Sequence, residues 1–113
     1  MSSWQTKRVH SIVDRIRDAL VAYEPECIYL FGSWARNEAD ELSDVDVVVI
    51  KETDVPFFDR LLEAARLLPT EVGAVDLLVY TPGEFRAMRR DGNAFAEMIA
   101  EEAILIYGQE PEI

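Results

Sequence analysis

The chain predicts an α/β or α+β fold in which helices pack on one small sheet. Three observations predict it. Four short apolar runs alternate with stretches whose apolar residues recur at helical spacing. Proline and glycine punctuate the boundaries between them. The length of 113 residues, half of them hydrophobic, suits one domain with one core, expected to span residues 1–113.

Each element follows from local sequence. Val9, Ile12, Val13, Ile16 and Leu20 lie at helical spacing and predict a helix from about Trp4 to Ala22, ended by Glu24-Pro25. Cys27 to Phe31 is a short apolar run, the first strand, and Gly32-Ser33 breaks it. Trp34 to Asn37 could begin a short helix whose free N–H groups point back at Gly32 and Ser33. Residues 38–43 form a polar connection, and Val45 to Ile50, with Val and Ile at nearly every position, predicts the second strand.

Asp54 and Pro56 mark a helix start, with Phe58, Leu61, Leu62, Ala65 and Leu68 as its expected buried stripe. Pro69 ends that helix and residues 70–73 form a turn. Val75 to Tyr80 is the third strand. Thr81-Pro82-Gly83-Glu84 has the pattern of a helix cap and first turn, continued by Phe85 to Arg90. Asp91-Gly92-Asn93 is a break, Ala94 to Glu102 a further helix and Ala103 to Tyr107 a fourth strand. The tail from Gly108 is expected to fray.

With 11 basic and 22 acidic residues, the charge is −11. That argues against sequence-independent binding to DNA or RNA, which needs a cationic surface. It suits a basic partner. The single cysteine, Cys27, allows no intramolecular disulfide and is expected as a small buried side chain. The opening residues lack the apolar core of a signal peptide, and no apolar run approaches the ~18 residues of a membrane span. The expectation is a cytoplasmic protein.

The chemistry concentrates at Gly32-Ser33, Asp44, Asp46 and Asp76. A glycine after a strand lets backbone approach a ligand closely, and a serine hydroxyl can donate to a phosphate oxygen. On its own the dipeptide is better explained as an ordinary strand-to-helix turn. Asp44 and Asp46 flank Val45 at a strand start, where residues two apart share a face. Taken alone they fit a solvated strand end equally well. Asp76 is a lone carboxylate in an apolar strand, where a buried carboxylate without a partner is costly; an edge-strand residue facing water is the other reading, and it is set aside once the three aspartates are taken together. If its strand lies beside the second, all three carboxylates can converge on one or two divalent metals. Oxygen ligands with room left for phosphate suit Mg²⁺ better than Zn²⁺. Arg36 is a candidate to pair with a triphosphate, or with the acidic residues of its own loop. Trp34 could stack on a base, although core packing explains an aromatic there more simply.

The pattern Gly32-Ser33, ten residues, Asp44-Val45-Asp46, then Asp76 in a later strand resembles the signature of the DNA-polymerase-β-like nucleotidyltransferases. The local form Gly32-Ser33-Trp34-Ala35-Arg36 and Ser43-Asp44-Val45-Asp46 is similar to the minimal nucleotidyltransferases, single-domain proteins of bacteria and archaea. The likeness covers almost the whole chain. It implies a mixed sheet, with Asp44 and Asp46 as metal ligands and Asp76 as the third carboxylate, able to take the proton from an attacking hydroxyl. It further implies Mg²⁺-dependent transfer of AMP from ATP, with Gly32, Ser33 and Arg36 at the phosphates. One residue departs from the family pattern: Asn37 stands where glycine is common, and Asn is the residue after glycine most tolerant of positive φ.

Minimal nucleotidyltransferases commonly serve as antitoxins that adenylylate small helical HEPN-domain ribonuclease toxins, typically at a tyrosine. The resemblance therefore implies a HEPN toxin as partner, in a type VII-like toxin–antitoxin pair. Two other readings stand beside it: a module that neutralises its partner by contact alone, and a nucleotidyltransferase acting on a small molecule such as an aminoglycoside, for which a homodimer could complete a cleft, or on an RNA 3′ end, which the acidity disfavours.

Overall fold

In the computed structural model, residues 3–40 and 43–110 are described, with side chains from residue 12 onward. Helix α1 (Ser3–Val21) leads into β1 (Cys27–Phe31), a 3-10 turn over Gly32–Trp34 and β2 (Val45–Ile50). Then follow α2 (Phe57–Ala65), a 3-10 turn over Thr70–Val72, β3 (Val75–Tyr80), α3 (Pro82–Arg90), α4 (Ala94–Glu102) and β4 (Ile104–Gly108).

The sheet has the order β3-β2-β1-β4. β1 runs antiparallel to both β2 and β4, whereas β2 and β3 are parallel, so the sheet is mixed. A parallel pair needs a long crossover, and α2 supplies it. Strand residues alternate between two apolar layers. On one face Ile28, Leu30, Val45, Val47, Val49 and Val79 pack with Val13, Ile16 and Leu20 of α1 and Ala64 of α2. On the other, Cys27, Tyr29, Val48 and Ile50 pack with Phe85 of α3 and with Ala96 and Ile99 of α4. β2 is covered on both sides, which is why its sequence is a near-continuous apolar run. Among the described residues no helix is long and apolar enough to cross a membrane.

The sequence pattern misplaces three features. The first is the phase of α2. Phe58 is 77% exposed and Leu62 57%, and Ala65 is exposed too; the buried positions are Arg60 and Ala64. Leu61 and Leu68 do pack against the core, as expected. The helix is apolar on more than one side, so its phase is set by Arg60. That guanidinium donates to the carbonyls of Val55 (2.7 Å) and Val79 (3.3 Å) and to both carboxylate oxygens of Glu84 (2.7 and 3.3 Å). Second, Gly108 does not open a frayed tail. It ends β4 paired with Cys27, and Gln109 N donates to Glu26 O. Residues 111–113 lie outside the described residues. Third, the helix expected at Trp34–Asn37 is a single 3-10 turn. The N–H groups of Ala35 and Arg36 both donate to Gly32 O, so they close the turn rather than facing a ligand.

Candidate active site

The site forms where β2 and β3 begin and β1 ends. Register places Asp46 opposite Phe31 on one side and opposite Asp76 on the other. Parallel partners in register point the same way, so the two carboxylates stand on the sheet face that carries α3 and α4. They touch through a carboxyl–carboxylate hydrogen bond. Burial, that bond and the nearby charges of Asp76 and Asp44 push the Asp46 carboxyl up to about 6, against a weaker opposing pull from Arg36.

The cost of desolvation falls on a different residue from the one the sequence suggested. Asp76 is exposed, because β3 is an edge strand; Asp46, in the centre of the sheet, is half-buried. Asp44 lies one residue before β2, is exposed, and acts on Asp46 through its charge.

Gly32 has a reason to be glycine at this point. Its φ is +75°, and a Cβ built on it would lie 2.1 Å from Asp46 Oδ2. The bare backbone is what leaves room for the carboxylate. Ser33 is half-buried in the same turn, and its carbonyl accepts from Glu38 N at 2.9 Å. Asn37 takes φ +59°, which lets the loop turn without glycine. Arg36 is held by Glu38 (3.1 Å) and, more loosely, by Glu102 (3.9 Å), while its charge still reaches Asp46.

Trp34 is buried in the core and donates its indole N–H to Ser43 O at 3.2 Å. The sequence signalled the burial, and it carried no signal for the bond, which joins the Gly32 turn to the residue before Asp44. Lys51 lies past the other end of β2. It donates to Tyr23 O and sits 4.2 Å from the centre of the Tyr23 ring, far from any phosphate held at Gly32. Cys27 is buried and its thiol is pushed up to about 12, chiefly by burial, so it is inert.

Among the described residues, no group of three or more His, Cys, Asp or Glu side chains converges as a ready-made metal cage. The Asp46–Asp76 pair nevertheless fits a divalent cation. Two neighbouring carboxylates repel and a cation between them relieves that, and Mg²⁺ is commonly bound through one or two carboxylates, with substrate phosphates completing its shell.

The family model for polymerase β nucleotidyltransferases matches residues 14–112. The chain belongs to that family. It is 41% identical over 58 residues to a Methanocaldococcus jannaschii protein named as a candidate protein adenylyltransferase. That match spans half of this chain and 58% of the relative's length. Its fold matches a crystal structure of a candidate nucleotidyltransferase from Sulfolobus solfataricus, with a TM-score of 0.60 at 22% identity over 90% of this chain and 82% of that one. It also matches a chain in a crystal structure of a toxin–antitoxin with AMP-PNP, with a TM-score of 0.55 at 20% identity over 90% of this chain and 74% of the other. The mixed sheet and its flanking helices are thus the nucleotidyltransferase fold.

Proposed function

We propose that this enzyme transfers AMP from ATP to a hydroxyl of a protein partner, a tyrosine of a HEPN-type ribonuclease toxin, the α–β phosphoanhydride breaking and pyrophosphate leaving, and so acts as its antitoxin. The observation that carries the chemistry is the in-register Asp46–Asp76 pair beside a glycine that cannot be replaced without striking it. The relative named for protein adenylylation and the toxin–antitoxin neighbour support the choice of acceptor.

In this reading Asp46 and Asp76, with Asp44 beside them, would hold Mg²⁺. When bound, the metal neutralises phosphate charge and lowers the barrier to in-line displacement at the α-phosphate. The remaining work is done by the chain. Gly32 and Ser33 lie where the β- and γ-phosphates would rest, and Arg36 adds positive charge at that edge. Asp76, exposed on the edge strand, is placed to accept the proton of an incoming hydroxyl.

Asp44→Asn combined with Asp46→Asn is expected to leave the fold intact by circular dichroism. Transfer of label from α-³²P-ATP to a co-expressed toxin should fall by at least about 100-fold, the scale of losing a principal electrostatic contributor. Full activity in that variant would sink the mechanism.

A further inference from the structure

The outer face of α2 is apolar and exposed. Phe58 and Leu62 stand 77% and 57% exposed one turn apart, with exposed Ala65 continuing the ridge. An exposed aromatic and an exposed leucine one helical turn apart form a contiguous apolar ridge rather than singly scattered residues. Beside the ridge lie Asp59 near the N-terminal end and Arg66 just past the C-terminal end, both exposed, and neither has an ion-pair partner among the described residues.

We propose that α2 forms a two-fold symmetric dimer by crossing antiparallel to α2 of a second copy, with Leu62 on the axis. The pattern is self-complementary in both size and charge. About the axis, each Phe58 comes over the small Ala65 and the aliphatic stem of Arg66 of the second copy. Each Asp59 comes within reach of the second copy's Arg66 guanidinium. Leu62 meets Leu62. A two-fold interface requires this kind of pairing, in which residue i meets j and j meets i. A large side chain opposite a small one is also how helix ridges enter grooves. Each Asp59–Arg66 pair occurs twice in one interface.

The charge of −11 on each copy opposes association, but repulsion beyond about 8 Å is screened at physiological salt. Two nine-residue helices bury less than the roughly 1,200 Å² of a stable complex, so the dimer is weak and concentration-dependent. The ridge lies on the α1/α2 side of the sheet and the carboxylates on the α3/α4 side, so both sites stay open. The inference does not depend on the transfer chemistry.

Sedimentation velocity on the full chain, from roughly 10 µM to roughly 1 mM, tests it. The wild type should pass from monomer to dimer and stop there, because the two-fold contact closes. Phe58→Asp and Leu62→Asp, both at exposed positions, should remain monomeric across the range. Arg66→Asp should weaken the dimer by about fivefold, and Asp59→Arg combined with Arg66→Asp should restore it. These charge changes are exposed and keep the test decisive even if an apolar variant folds poorly. A wild type that stays monomeric throughout overturns the proposal and leaves the ridge to a different protein. A dimer that survives Leu62→Asp, or a charge swap that fails to restore Arg66→Asp, overturns it as well.

Discussion

Asp46 is a carboxylate that the fold holds at a cost. Its pKa stands at about 6, above the 3.8 of an unstrained aspartate. A raised carboxyl stabilises the fold fully below its unfolded pKa, and that contribution is lost as pH rises through the folded value. In the metal-free protein at pH 7.5, Asp46→Asn should therefore raise stability, by on the order of 1 kcal/mol once solvent screening of this partly exposed site is allowed for. The gain should shrink as pH falls from 7 toward 4, because the wild-type side chain then carries its proton. Urea denaturation of both proteins in chelator at several pH values measures this directly. An equal difference at pH 5 and pH 7.5 would show that the carboxyl is not titrating in that window. Gly32→Ala should act in the opposite direction. Its Cβ would meet Asp46 Oδ2 at 2.1 Å with φ at +75°, so a loss of about 1–3 kcal/mol is expected along with loss of the Mg²⁺-dependent thermal shift.

Among the elements, the strands were legible and the phase of α2 was not. Val45 to Ile50 admits one reading because both faces are buried, and odd–even parity then fixes which side Asp46 faces. The register that joins Asp46 to Asp76 depends on β3 lying parallel beside β2, which no local pattern states. The capping box of α3 was legible because it is local: Thr81 Oγ1 accepts from Glu84 N at 3.1 Å, and the Glu84 carboxylate accepts from Thr81 N at 2.8 Å. The same carboxylate also receives Arg60 across 24 residues, and that bond buries an arginine where the periodicity of α2 predicted leucine. Arg60→Met should thus unpin three elements at once. A loss of about 2 kcal/mol is expected, discounted because Glu84 is 43% exposed. Arg60 lowers the Glu84 pKa, so this contribution is present above the ordinary 4.5 and fades as pH falls through the depressed value. Denaturation midpoints for wild type and Arg60→Met should converge in acid, and parallel curves down to pH 3 would contradict the assignment.

At the scale of the whole molecule, 22 acidic residues stand against 11 basic ones, and at the candidate site the charges of Asp76 and Asp44 bear directly on Asp46. Two effects of magnesium can be separated on this basis. Any salt screens the general repulsion, so the melting temperature should rise with NaCl in every variant. A bound cation adds a specific increment of RT ln(1 + [L]/Kd), about 1.4 kcal/mol at ten times Kd. For a chain of this size that increment is worth roughly 5–10 °C. MgCl₂ should therefore stabilise the wild type beyond NaCl at matched ionic strength. Asp46→Asn with Asp76→Asn should keep the salt response and lose the excess. Lys51 supplies the control: it is tied to Tyr23 past the far end of β2, so Lys51→Met should lower stability while leaving the excess intact. If the double aspartate variant keeps the full magnesium increment, the cation binds elsewhere on the acidic surface, and the paired aspartates are not its site.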